Sequence, residues 1–360
     1  MKFDIQVNRT RQSRLPEVDF EQIPFGKVFS DHQFVAEYRD GAWHDARIEP
    51  FGTFQMHPAS MVLHYGQSIF EGMKASKSHE GTPLFFRPEE HARRLNRSAA
   101  RMCIPEVPED LFLDALHQLV ALDQGWIPPR EGSALYIRPF VFATDRFIGV
   151  RPSSTYRFMV ITGPVGPYYD HPVSLWAEQK YVRAVTGGTG EAKCSGNYAA
   201  SLLPAKLAQE RGYDQVMWMD GHEFKYIEEV GTMNIFFVID GKVITPSLDG
   251  SILAGITRDS MLTILRDEGI EVEERRISIE EVFAAHDAGT LLEVFGTGTA
   301  AVVAQVSRIG HPDREIDLPP VEGRKIGPMV KAQIDGLRSG KVKDERGWIV
   351  PVGTDVPVDA

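Results

Sequence analysis

Between Val173 and Thr245 the chain passes through a close succession of apolar, β-branched and aromatic runs: VSLWA, QVMWM, NIFFVID and KVIT. Two of them end at Asp-Gly pairs, Asp220-Gly221 and Asp240-Gly241. Runs this short, punctuated by residues that favour left-handed turns, read as strands, several of them joined by hairpins. Helical patterns interrupt and follow these runs. NYAASLLPAKLAQERGY reads as a helix that Pro204 bends or starts, ITRDSMLTILRDEG as another, and SIEEVFAAHDAG as a third with Ser278 and Glu281 spaced as a capping box. The tail from about Ser307 reads as loop-rich, with one helix near PMVKAQIDGLRSG. The expected class is α/β in the α+β sense, with antiparallel content.

The first half carries the same mixture. VAEYRDGAWHDARIEP predicts two strands about an Asp40-Gly41 turn. In PLFFRPEEHARRLNRSAARM a strand ends near Arg87 and a helix enters through Pro88, placing Arg94, Arg97 and Arg101 on one face. In PEDLFLDALHQLVALDQG, Phe112, Ala115, Leu116, Leu119 and Val120 recur at the helical period, and Gly125 is placed to close the helix. SALYIRPFVFA alternates as a strand, with Leu135 and Ile137 on one side and Tyr136 and Arg138 together on the other. A chain of 360 residues calls for two cores. The segment YRFMVITGPVGPYYDHP is the expected connection, giving domains 1–170 and 171–360.

Composition narrows the function. A net charge of -11 speaks against a general nucleic-acid surface and leaves room for a local anion site. The two cysteines, Cys103 and Cys194, form no CxxC, so neither a disulfide framework nor a thiolate metal site is expected. MKFDIQVNRTRQSRLP has no apolar leader pattern, and no stretch reaches membrane-spanning length. The expectation is a cytoplasmic protein with small-molecule partners, no bound metal and no membrane or nucleic-acid partner. No glycine-rich dinucleotide fingerprint occurs.

Against that background Lys193 stands out, a single amine in GGTGEAKCSGNY among small and polar neighbours. Glycines on its approach allow close contact with something flat or large, as a lysine forming a Schiff base requires. Three other segments are unusual. LAGITR, Leu253 to Arg258, is a glycine turn opening a helix, whose free N–H groups suit a phosphate. FGTGTA, Phe295 to Ala300, sets Thr297 and Thr299 in a glycine-shaped nest. EEVGTMN puts Glu229 inside a strand, where it is either exposed at a rim or paired with a buried partner. Pyridoxal phosphate accounts for all four, since it needs an amine, a phosphate cradle, a donor to its phenolate and an acid beside its ring nitrogen.

The blocks FGKVFSDH, HYGQSIFEGMKA, LYIRPF, PVGPYY, GGTGEAKCSGNYAAS, EEVGTMNIFF, SILAGITR and VFGTGTA, in this order, resemble the branched-chain amino acid aminotransferases of fold type IV. The resemblance spans nearly the whole chain. It implies a small N-terminal α/β domain, a larger C-terminal pseudo-barrel domain carrying the lysine, bound pyridoxal 5'-phosphate, and a homodimer. It implies transfer of the amino group of L-leucine, L-isoleucine or L-valine to 2-oxoglutarate. By the same resemblance Lys193 is the Schiff-base lysine, Tyr198 neighbours the phenolate, Glu229 pairs with the ring nitrogen, and Arg94, Ile256, Thr257 and Thr299 hold the phosphate. Tyr65, Phe70, Tyr136, Arg138, Tyr168, Thr232, Ala300 and Ala301 then belong to the substrate pocket. One departure is that Ala301 and Ala304 stand where mammalian relatives carry a redox-sensitive CxxC, so no thiol switch is expected there. Cys194 is expected to be a small space-filling residue. The rivals are a D-amino acid aminotransferase or aminodeoxychorismate lyase, which share the lysine and glutamate, and a noncatalytic cofactor-binding regulator.

Overall fold

The computed structural model describes residues 3–166 and 171–353. It divides into two compact units, one of Met1–Tyr168, Ala192–Ser195 and Asp335–Ala360, the other of Tyr169–Glu191 and Gly196–Ile334. Four residues of the expected connection YRFMVITGPVGPYYDHP, 167–170 with Tyr168 among them, fall outside the described residues.

The first unit is built on one sheet. Its strand order is Gln6–Val7, Ala42–Pro50, His32–Arg39, Tyr156–Val165, Ala134–Ala143, Met73–Lys77, Pro83–Phe86 and Ile349–Pro351, with Ser68–Phe70 paired to Ala134–Ala143. Asp40 and Gly41 both take positive φ, 52° and 81°, as a tight hairpin of this hand demands. Helix Glu109–Leu122 buries Phe112, Ala115, Leu116, Leu119 and Val120 completely, and Phe112 lies parallel to Phe158 of the sheet at 6.1 Å. Its end differs from expectation. Asp123 caps it and accepts from both the N–H and the Nδ1 of His32, so Gly125 falls in the following 3-10 turn, Gln124–Trp126.

Helix Pro88–Arg101 begins where Pro88 predicts. The continuous helix sets Arg94, Arg97 and Arg101 on one side as expected, but their surroundings differ: Arg94 is buried, whereas Arg97 and Arg101 are exposed. A buried carboxylate draws Arg94 in and offers nothing to the other two.

The second unit has a mixed sheet in which strands Ile227–Val230, Gln215–Met219, Val173–Ala177, Val302–His311, Leu291–Gly298 and Met233–Ile239 pair in that order. Met233–Ile239 pairs again with Ile227–Val230, closing a ring of six strands. That is the pseudo-barrel. Lys242–Thr245 and Val272–Glu274 extend the sheet beyond it. Asp240-Gly241 forms the expected tight hairpin turn; the strands on either side of Asp220-Gly221 also pair antiparallel, but through a longer loop. Gly221 is not left-handed, and the Asp220 carboxylate instead accepts the N–H groups of His222, Glu223, Lys225 and Tyr226, winding residues 220–226 around itself. VSLWAEQKYVRAVTGG keeps strand geometry only over Val173–Ala177. Strand pairing also continues past Ser307, through Arg314–Asp317, so the tail is less loop-rich than its composition implies.

Helix Ile279–Asp287 opens on the expected cap, with Ser278 Oγ accepting from the Glu281 N–H at 3.1 Å. Helix Ser195–Glu210 runs through Pro204, and helix Ile326–Arg338 occupies the C-terminal position expected. Among the described residues no helix is long and apolar enough to cross a membrane.

Candidate active site

In the first unit, Lys193 sits on the short segment Ala192–Ser195. Its N–H donates to Ser98 Oγ at 2.9 Å and its carbonyl accepts from the Phe70 N–H at 3.0 Å. Cys194 bridges to Ile69 in antiparallel fashion, and Ser195 Oγ lies 2.5 Å from Ser68 Oγ. Cys194 itself is buried in the apolar core, the space-filling role expected of it.

The Lys193 amine stands over the Phe70 ring, 4.9 Å from its centre. The Arg138 guanidinium is 4.5 Å from the same ring and donates from Nη2 to the Tyr136 hydroxyl at 2.7 Å. Four residues singled out from sequence thus meet around one phenyl ring. Gly72 permits this, because a Cβ there would collide with the Tyr136 hydroxyl. Arg138 Nε is buried with no hydrogen-bond partner among the described residues. Tyr65 ends helix Met61–Tyr65 and is exposed.

Arg94 is held by a residue that sequence reasoning missed. Glu71 is fully buried and takes Arg94 Nε at 2.7 Å on Oε1 and Nη2 at 2.8 Å on Oε2. His91 Nδ1 donates to Oε2 at 2.7 Å. Burial would raise the Glu71 carboxyl, but the charge and hydrogen bonds of Arg94, with those of His91, hold it far below the usual range. Burial lowers His91, keeping the ring neutral with its proton on Nδ1. The two-point grip fixes the plane of the Arg94 guanidinium and hence where Nη1 points.

Replacing Glu71 by alanine strands a buried guanidinium and is expected to cost about 3–5 kcal/mol, read from the urea midpoint. Because the folded Glu71 binds its proton more weakly than the unfolded one, its contribution is present above about pH 4.5 and is lost as pH falls below that value. An acid titration of Glu71→Gln with less loss than wild type over that range is the matching result.

In the second unit, Glu229 and Asn234 face each other across paired strands. Glu229 is buried, not at a sheet rim. Its Oε2 lies 2.9 Å from Arg183 Nε, and its Oε1 accepts from the Leu253 N–H at 2.8 Å and from Asn234 Nδ2 at 3.4 Å. Tyr198, Asn197, Arg183, Glu229 and Thr232 line one cavity. Arg183 had no distinguishing signal in KYVRAV. The glycine-rich approach to Lys193 does bring backbones together, but the partner is the protein's own: a Cβ on Gly190 would strike the Ser251 carbonyl.

Helix Ile256–Asp267 starts after Gly255 with no side-chain cap, and Ile256 and Thr257 in its first turn are buried. Thr299, Ala300 and Ala301 form the turn between strands Leu291–Gly298 and Val302–His311, all three half-buried. Thr297 Oγ1 is buried without a hydrogen-bond partner among the described residues. No cluster of residues suited to a metal ion occurs among them.

These features have counterparts in known proteins. The model of the family described as amino-transferase class IV matches residues 68–309. The chain is 48% identical over 355 residues to branched-chain-amino-acid aminotransferase 2 of Bacillus subtilis (strain 168), covering 98% of each. It is 49% identical over 347 residues to a probable branched-chain-amino-acid aminotransferase of Staphylococcus epidermidis, covering 95% of this chain and 97% of that one. Among solved structures, the Escherichia coli branched-chain amino acid aminotransferase superposes with a TM-score of 0.71 at 29% identity, covering 89% of this chain and 99% of that one. A T.th. branched-chain amino acid aminotransferase solved with pyridoxamine 5'-phosphate gives 0.70 at 28%, covering 88% and 98%. An isolated lysine with a fixed backbone, a buried acid paired to arginine and an uncapped helix start therefore sit inside a match across two thirds of the sequence, and the chain belongs to the class IV aminotransferase family.

Proposed function

We infer that this chain is a pyridoxal-phosphate-dependent branched-chain-amino-acid transaminase. It moves the amino group of L-leucine, L-isoleucine or L-valine to 2-oxoglutarate, giving the branched-chain 2-oxo acid and L-glutamate. The observation that carries this is the near full-length identity to the Bacillus subtilis enzyme, 48% over 98% of both chains. The residues present fit the cofactor: a buried acid held by Arg183, an uncapped helix start at Ile256 and Thr257, and an unsatisfied Thr297 hydroxyl are what a protonated ring nitrogen and a phosphate require.

The bound cofactor supplies an aldehyde for the amine and a ring that draws electrons from the substrate α-carbon. Lys193 Nζ would tether the cofactor and would serve as the base toward the substrate α-proton. Glu229 holds a proton at the ring nitrogen, with Tyr198 beside the phenolate. Arg94, Ile256, Thr257 and Thr299 hold the phosphate. Phe70, Tyr65 and Tyr136 would meet the aliphatic side chain, and Tyr168, Thr232, Ala300 and Ala301 keep the substrate roles that the resemblance implies.

Arg138 serves the second substrate. Its Nε, without a hydrogen-bond partner among the described residues, and its hydrogen bond to the Tyr136 hydroxyl suit the distal carboxylate of 2-oxoglutarate. Arg138→Met is expected to weaken the glutamate half-reaction by about tenfold to a hundredfold and to spare the leucine half-reaction. Equal losses in both would assign Arg138 to structure instead.

A homodimer is supported by large apolar side chains left exposed, Leu63, Ile148, Val150, Leu202 and Leu203. Sedimentation velocity tests it. Unpaired cysteines support a cytoplasmic location. The activity itself is tested by offering the holoenzyme L-leucine and D-alanine with 2-oxoglutarate. L-Leucine should be favoured by about a hundredfold or more, and the reverse order would transfer the chain to the D-amino acid branch.

A further inference from the structure

Strand Ile227–Val230 carries adjacent buried glutamates. Alternation sends their side chains to opposite faces. Glu229 lines the cavity with Tyr198, while Glu228 lines a second cavity of about 210 Å³ with Thr186, Asp220, His222, Asp249 and Arg276. The catalytic scheme above makes no use of Glu228.

The two glutamates are nevertheless joined through one segment. Ser251, completely buried, has its Oγ 2.7 Å from Glu228 Oε1 and 2.7 Å from Asp249 Oδ1. Its carbonyl accepts from Arg183 Nη2, the guanidinium whose Nε faces Glu229. Two residues on, the Leu253 N–H donates to Glu229. The stretch Ser251–Leu253 is thus clamped between Glu228 behind the strand and Glu229 in front of it.

Proton counting at Ser251 is decisive. A hydroxyl has one proton to give, so two carboxylate oxygens at hydrogen-bond distance cannot both be charged acceptors. Asp249 is exposed to water, whereas Glu228 is buried and its Oε2 has no hydrogen-bond partner among the described residues. The extra proton therefore belongs to Glu228, which donates to Ser251, which donates to Asp249.

We propose that Glu228 is a positioning residue that works as a neutral acid, fixing Ser251 so that Arg183 and the Leu253 N–H serve Glu229 alone. Burial, with the nearby charges of Asp249 and Glu229, pushes the Glu228 carboxyl up to about 7, against the opposing effects of the Ser251 hydrogen bond and Arg183. The other charged or titratable groups lining its cavity are Asp220, His222 and Arg276. Were Glu228 ionised, two carboxylates would compete for one guanidinium and Ser251 would lose a donor. The proposal rests on Glu229 being the partner of the ring nitrogen.

Infrared difference spectroscopy between wild type and Glu228→Gln tests the proton directly, in apoprotein and holoenzyme at pH 6. A protonated-carboxyl stretch that shifts in D2O and is missing from the variant is expected, and carboxylate bands alone would overturn the proposal. The second measurement is the pH titration of the holoenzyme visible band, with Glu228→Gln, Glu228→Leu and Glu229→Gln alongside wild type. Glu228→Gln keeps a donor to Ser251 and no charge, so its midpoint should stay within about 0.2 of wild type. Glu228→Leu, with no donor, should slow the leucine half-reaction about tenfold while KM changes by less than about threefold. A displaced midpoint in Glu228→Gln, or a Glu228→Leu enzyme as fast as wild type, overturns it. If Glu228→Leu does not fold, the glutamine variant decides alone. If instead Glu229→Gln leaves both band and rate unchanged, the ring-nitrogen reading fails, and the infrared result still tells whether Glu228 carries the proton.

Discussion

Lys193→Ala is expected to abolish the visible band of the holoenzyme and to lower turnover by at least about a thousandfold, since a tether and a proton-transfer base are lost together. Folding should be little affected. The Lys193 contacts that tie the segment down are made by its backbone, to Ser98 and Phe70, and alanine keeps both. Circular dichroism and the urea midpoint check the fold, and absorbance after borohydride treatment and dialysis checks the tether. A shifted band that survives this treatment in the variant would refute the role.

Glu229→Gln is expected to slow the proton-transfer step by about a hundredfold to a thousandfold, as loss of a buried charge aimed at the reacting system does. Cofactor binding should be largely retained, because the proposed phosphate contacts are made by other residues. The effect belongs to charge and not to shape. Glutamine can still accept from the Leu253 N–H, but it leaves the buried Arg183 guanidinium without its carboxylate. Single-turnover reaction with α-deuterated leucine measures the step, and a variant with full turnover would end the assignment.

How far the sequence could be read depended on the range of the interaction. The helix Glu109–Leu122 and the pairing of Tyr136 with Arg138 follow from local periodicity, which a single strand or helix obeys whatever surrounds it. The Asp220-Gly221 turn failed because a local signal was overruled by a side chain gathering four backbone N–H groups. Glu71 and Arg183 went unnoticed for another reason. Each is one charged residue in an unremarkable run, and its meaning comes from a partner distant in sequence, Arg94 or Glu229. The family resemblance singled out Lys193, Glu229 and Arg94, but not the residues that hold them in place.

The anchoring of Lys193 has a kinetic corollary. With its N–H and carbonyl both engaged, the amine moves by torsions of its own four-carbon stem about a fixed pivot. Side-chain torsions of that kind take picoseconds to nanoseconds, against turnover of about 1 to 1,000 per second for enzymes in general. On the role proposed for Lys193, movement of its amine therefore takes a negligible part of each cycle.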